Sequence, residues 1–306
     1  MKKLFSLLMC GVMLICFASC TSPNNTENEK IQIVTTIFPL YDFARQVGGQ
    51  KAQVTLLLPS GAEVHSYEPS PQDVIKIKES DLFIHLGMGA DPWTDAVINS
   101  ADTKPQNVLS AMKYAELLGE EHSHEHSSQM ALYDQHIWTS IENSEEIVEG
   151  IKDALCRIDA PNAQYYEKRC EEYEDKLSLL DEKFEELTKK HRGSTIVFAD
   201  RFAFRYFMEE YNLNHFAAFP GCSSESEPSA RTVSQLIDMV KKEKIPVVFY
   251  TETSNQKLAD TVCEETGAEK MLLHSCHTVT KKQLDGGITY LDLMENNYEA
   301  LKKALY

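Results

Sequence analysis

Residues 162–190 read NAQYYEKRCEEYEDKLSLLDEKFEELTKK, and the reading of this stretch decides the fold. Its apolar or half-apolar positions are Tyr166, Cys170, Tyr173, Leu177, Leu180, Phe184 and Leu187, so the steps alternate four, three, four, three. That spacing draws one unbroken stripe along a helix, with Glu, Asp and Lys filling the other faces. Neither Gly nor Pro interrupts the run, and Pro161 stands where a helix start tolerates proline. About 29 residues at ~1.5 Å each make a rod of roughly 43 Å. A coiled-coil arm is the competing reading, but the repeat lasts only about three heptads, and α/β-like sequence flanks it on both sides. The stretch is therefore read as a strut, residues 161–191. It joins one α/β lobe, residues 31–160, to a second, residues 192–306.

Before the strut, residues 32–37 (QIVTTI), 53–58 (QVTLLL) and 81–86 (DLFIHL) read as strands. Helices are expected at 39–48, 71–79 and 144–157. After it, residues 195–199 (TIVFA), 216–219, 246–250 (PVVFY) and 271–273 read as strands, and 202–211, 230–244, 255–266 and 290–305 as helices. Strands alternating with helices predict a small parallel sheet in each lobe, covered on both faces. In open sheets of this kind ligands bind beyond the carboxyl ends of the strands. Two such lobes on a strut place their strand ends across a cleft.

The first nineteen residues stand apart from the fold. Lys2 and Lys3 precede a short apolar run, and Ala18 and Ser19 precede Cys20. This is the shape of a secretory signal, too short for a spanning helix. The run FASC resembles a bacterial lipobox, which implies cleavage before Cys20 and a lipid on that cysteine. Residues 20–30 read as a flexible polar tether. Without Lys2 and Lys3, 28 basic residues face 47 acidic ones, which argues against a nucleic-acid partner. No second membrane run is present, so transport would need partner proteins. Of the eight cysteines, Cys156, Cys170, Cys222, Cys263 and Cys276 remain after the signal and the lipidated residue are set aside. None of these forms a C-x-x-C pair, and an odd count leaves at least one thiol over.

Metal-ligating residue types gather after strands. His65 follows the second strand in GAEVHSYEPSPQD, and His136 lies in ALYDQHIWTS. Asp200 follows TIVFA, Glu252 follows PVVFY, and His274 follows the last strand with His277 three residues on. Singly, each histidine reads as readily as a polar or capping residue. Several at equivalent places read as the imidazole and carboxylate donors of a divalent transition metal. His85, inside DLFIHL, is read instead as a satisfied strand residue. His122, His124 and His126 in GEEHSHEH form either a loose zinc-gathering loop or a solvated one.

HSYEPSPQD resembles the His-x-Tyr-Glu-Pro-[ST]-Pro motif of the metal-binding solute-binding lipoproteins of ABC transporters, the zinc and manganese uptake receptors. DQHIWTS is similar to their Asp-Pro-His-x-Trp motif. The lipobox, the long helix and the His-rich loop fit the same family, over residues 31–306. The resemblance implies two α/β lobes joined by one backbone helix, with one metal held between them by two residues from each lobe. Carried over by motif, His65 and His136 are the first-lobe ligands. In the second lobe the family's His-Asp-Ala-Phe-type segment is replaced by ADRFAFRYF, where Asp200 is the nearest donor. The family's final Asp is replaced by His274. Glu252 and then His277 are the alternatives, and Arg201 beside the site is a further departure.

The set His65, His136, His274 and Asp200 offers three imidazoles and one carboxylate. It suits tetrahedral Zn²⁺ with Zn–N of ~2.0–2.1 Å, and it favours zinc over Mn²⁺. Two carboxylates would instead favour manganese or iron. The function expected is an extracytoplasmic, lipid-anchored, monomeric receptor that hands zinc to an ABC permease. A metallohydrolase would need an open coordination position and a general base, and no HExxH stands in the sequence. A surface adhesin with a structural metal is the third alternative.

Overall fold

The computed structural model describes residues 30–62, 67–100, 107–119, 133–219 and 228–306. The chain divides into two units, Met1–Lys30 and Ile31–Tyr306. The signal, Cys20 and the tether up to residue 29 lie outside the described residues, as do His65, His122, His124, His126 and Cys222. Among the described residues no helix is long and apolar enough to cross a membrane.

The second unit begins with β1 (Ile31–Thr35), α1 (Phe38–Gly48), β2 (Ala52–Leu56), α2 (Pro71–Glu79), β3 (Leu82–His85), α3 (Pro92–Asn99) and β4 (Val108–Ser110). Two helices follow, α4 (Ile141–Ile158) and the long α5 (Ala163–Thr188). The chain then runs through β5 (Thr195–Arg201), α6 (Arg205–Glu210), β6 (Asn214–Phe219), α7 (Ala230–Glu243), β7 (Val247–Tyr250), α8 (Lys257–Thr266) and β8 (Glu269–Leu272). It ends with the short α9 (Lys281–Asp285) and α10 (Tyr290–Leu305).

Both sheets are parallel, and they share one order, β2-β1-β3-β4 and β6-β5-β7-β8. Continuous apolar strands such as LFIH and VVFY are what a sheet buried on both faces requires. In each sheet the order reverses between the first and third strands, and the crevice beyond those strand ends is where such sheets bind ligands. An aspartate ties the two strand ends together in each half. Asp91 Oδ2 accepts from Thr36 Oγ1 at 3.3 Å and from the Leu86 N–H at 3.0 Å. Asp200 Oδ2 accepts from the Thr251 N–H at 2.9 Å and from Thr251 Oγ1 at 2.7 Å. The two carboxylates do the same job at equivalent places.

All seven residues of the α5 stripe are buried, from Tyr166 to Leu187. They enter one core that holds residues of both sheets. Tyr173 packs on Phe43 of α1, with ring centroids 6.2 Å apart, while Phe184 packs on Phe207 of α6 at 5.0 Å and Tyr298 of α10 at 5.6 Å. Cys170 also belongs to the stripe, and its thiol lies 3.2 Å from Glu174 Oε1 and 3.7 Å from Glu149 Oε2. Burial and these carboxylates push the thiol far above its ordinary range, so it stays protonated. Cys156, Cys170, Cys263 and Cys276 are all free thiols.

The C-terminal helix crosses back to the first half. Asp42 of α1 accepts from the Tyr290 N–H at 2.7 Å, at the start of α10. Arg45 donates to the Ile288 carbonyl at 2.9 Å, and Phe43 meets Tyr290 edge-on at 5.0 Å. The second sheet and α1 are thus joined by α10 as well as by α5. Three short elements, α3, β4 and α9, were absent from the sequence expectation.

Glu210 at the end of α6 carries a pH-dependent share of this stability. Its Oε1 accepts from the Ile141 and Glu142 N–H groups, each at 3.1 Å, and so completes the N-terminus of α4. Burial pushes its carboxyl from 4.5 up to about 8, against the opposing hydrogen bonds and with help from Asp181 and Glu142. A raised folded-state pKa means that the folded chain holds the proton longer than the unfolded chain. Its contribution is full below pH 4.5 and is lost as pH rises towards 8. Melting temperature measured across that range should fall more steeply for the wild type than for Glu210→Gln. Parallel profiles would refute this role.

Candidate metal centre

His136 sits in a tight turn between Tyr133 and α4. The turn is built by Asp134, whose Oδ1 accepts from the His136 backbone N–H at 2.8 Å and lies 2.8 Å from His136 Nδ1. An ionised carboxylate can only accept, so the ring proton is on Nδ1 and the lone pair is on Nε2. Burial alone would raise the Asp134 carboxyl. The hydrogen bonds from His136, with the Arg205 charge, outweigh that and hold it below its ordinary range. Thr139 Oγ1 donates back to the His136 carbonyl at 2.8 Å, and Ser140 caps α4 by accepting from the Asn143 N–H. The ring is 2% exposed.

His277 stands against it. The two imidazole centroids are 5.3 Å apart at an interplanar angle of 80°, and both rings touch the indole of Trp138. Two buried imidazoles close together, one with its tautomer set by a carboxylate, are donors of the type that transition metals take.

The other second-half candidates are engaged elsewhere. His274 is buried, and Asn297 grips its backbone, accepting from its N–H at 2.7 Å and donating to its carbonyl at 2.8 Å. Its Nδ1 accepts from the Cys276 N–H at 3.0 Å, so the neutral ring carries its proton on Nε2. Burial lowers its pKa against the pull of Glu252, which keeps it neutral. Such a ring presents an N–H and not a second lone pair. Glu252 accepts from the Ser275 N–H at 2.9 Å and from Ser275 Oγ at 2.7 Å, and so holds the loop after β8. Asp200 Oδ2 is committed to Thr251, while its Oδ1 accepts from the Arg201 N–H at 2.8 Å.

Cys276 explains the division between the two histidines. Its φ of 62° reverses the chain, so His274 faces Asn297 while His277 faces His136. His85 lies outside this arrangement. It stacks on Phe83, its Nδ1 is 3.0 Å from Thr94 Oγ1, and burial lowers its pKa to about 4.

Sequence reasoning missed Asp134, Trp138, Asn297 and Thr251 as supporting residues. The Asp-x-His spacing was the available signal for Asp134, because a carboxylate two residues ahead reaches both the backbone N–H and Nδ1. Replacing Asp134 by Asn turns an acceptor-only carboxylate into a neutral amide that can also present an N–H to the ring, so the tautomer is no longer fixed. The expected cost is roughly 10–100-fold in zinc affinity, with little loss of melting temperature in the metal-free protein. Zinc titration against a competing chelator measures it, and unchanged affinity would refute the role.

The family described as "zinc-uptake complex component A, periplasmic" (ZnuA) matches residues 33–304. The zinc-binding lipoprotein AdcA of Streptococcus pneumoniae is 32% identical over 309 residues, covering 99% of this chain and 61% of that one. This chain therefore spans under two thirds of the length of that relative. The high-affinity zinc uptake system protein ZnuA of Bacillus subtilis is 30% identical, covering 99% of this chain and 98% of its own length. Among solved structures, the Zn(II)-bound ZnuA-like domain of S. pneumoniae AdcA superposes with a TM-score of 0.77 at 31% identity. That match covers 90% of this chain and 99% of the domain.

Proposed function

The chain belongs to the zinc-uptake complex component A family, and from that premise we propose that it is a receptor that binds one Zn²⁺ and delivers it to an ABC permease. The observation that carries this reading is the buried pair His136 and His277, with Asp134 directing the His136 lone pair to Nε2. His65, by its motif, supplies the third imidazole, and Asp200 is the carboxylate with acceptor capacity left on Oδ1. This set keeps three imidazoles and one carboxylate but replaces His274 with His277. Zinc suits it better than manganese because imidazole nitrogens are softer donors than the oxygens manganese prefers. A site filled by four protein donors carries its metal as cargo and leaves no position for a reacting water.

The same reading places the protein outside the cytoplasm, held to the membrane by a lipid on Cys20 and acting as a monomer. Residues 31–160 and 192–306 are its lobes and residues 161–191 the helix between them. The two parallel sheets, 31–110 and 195–272, support that division. Cells lacking the gene should fail to grow under zinc chelation and should recover with the wild-type chain but not with His136→Ala. Recovery with His136→Ala, or no growth defect at all, would sink the proposal.

A further inference from the structure

Trp138 is fully buried against both imidazoles, with its ring centroid 5.5 Å from His136 and 4.7 Å from His277. Its indole Nε1–H donates to the Ser275 carbonyl at 2.7 Å. Ser275 lies two residues before His277, and Trp138 lies two residues after His136. The one hydrogen bond thus joins the turn that carries the first imidazole to the loop that carries the second. Both ends are anchored. The Trp138 carbonyl accepts from Tyr290 Oη at 2.7 Å and from Ser144 Oγ at 3.1 Å. Ser275 is held from the other side by Glu252 and, through His274, by Asn297.

We propose that Trp138 is a positioning residue that makes the His136 turn and the His277 loop one rigid half of the metal site, and so sets how slowly zinc leaves. The proposal rests on the zinc reading above. Zinc escapes only when both imidazole bonds are open together, and a rigid pair returns each nitrogen to the metal before the other bond breaks. Without the indole N–H, the buried Ser275 carbonyl loses its donor. The loop then gains freedom at the residues that aim His277, and pre-organisation is lost.

Trp138→Phe keeps an aromatic ring and removes the N–H. Two measurements on the full chain test the proposal. In the metal-free protein, amide hydrogen exchange of peptides covering residues 273–278 should rise in Trp138→Phe while β1 to β4 stay unchanged. In the zinc-loaded protein, chelator-driven release should be about tenfold faster than in the wild type, in the range seen when a group supporting a metal ligand is removed. Equal exchange, or equal release with faster exchange, overturns the proposal. A wild-type chain that takes up no zinc overturns the zinc reading instead, and the exchange experiment still decides whether the brace exists. Should Trp138→Phe fail to fold, the indole proton is read directly in Trp93→Phe, where Trp138 is the remaining tryptophan. A protected indole proton whose resonance moves on adding zinc supports the brace, and a rapidly exchanging one overturns it.

Discussion

His277→Ala is expected to weaken zinc binding by at least about a hundredfold, while His274→Ala leaves affinity within about threefold and lowers stability instead. A buried charge-assisted or metal-bound donor removed outright costs on the order of 3 kcal/mol or more, and each 1.4 kcal/mol is a factor of ten. The two histidines are three residues apart and chemically identical, so the contrast reads geometry alone. His277 faces His136 across 5.3 Å. His274 is turned to the C-terminal helix, with Nδ1 bonded to the Cys276 N–H and its backbone gripped by Asn297. Truncating it leaves a buried amide unpaired and a cavity beside α10, which is a stability cost. Zinc titration and thermal melting on both variants measure the contrast. If His274→Ala lost the metal and His277→Ala kept it, the ligand assignment would be reversed.

Phe184→Ala should cost roughly 3–5 kcal/mol of folding stability, the range for deleting a fully buried aromatic ring. Phe184 is 0% exposed and packs on Phe207, Tyr211 and Tyr298, with centroids 5.0, 5.3 and 5.6 Å away. Those rings come from α6, the turn that follows it, and α10, so they cannot all close on the space left behind. Chemical denaturation gives the number. A loss under about 1 kcal/mol, the size of an ordinary surface change, would mean that the stripe is not part of a shared core and that α5 stands free as an arm.

The stripe itself was legible because burial on one helix face writes a 3.6-residue period into the sequence. All seven positions read from that period are buried. Continuous apolar strands were legible for the same reason, since a doubly covered parallel sheet leaves no polar face. The elements passed over are short. β4 has three residues and α9 has five, too few for either period to register. The return of α10 to α1 was invisible for another reason. Asp42 and Tyr290 are 248 residues apart, and nothing local in either segment announces the bond.

The candidate donors were legible by residue type but not by what each one touches. Asp200, Glu252, His274 and His277 lie at or just after strand ends, where parallel sheets open, whereas His136 lies in the turn before α4, far from the end of β4. Which way each candidate donor faces depends on backbone turns that residue type does not encode. A cysteine at φ 62° sends His274 and His277 in different directions. Asp200 was legible as a donor because it follows β5 directly, but its second task was not: Oδ2 ties β5 to β7, as Asp91 ties β1 to β3.

The proposed cargo is one zinc ion per chain, held on a site rich in imidazole. Metal content and competition test it most directly. The protein would be purified without chelator or His-tag, its metals counted by elemental analysis, and the bound ion challenged with manganese. One tightly held zinc per chain that excess manganese does not displace is the expected result. Preferential retention of manganese, or no tightly bound metal at all, would contradict it.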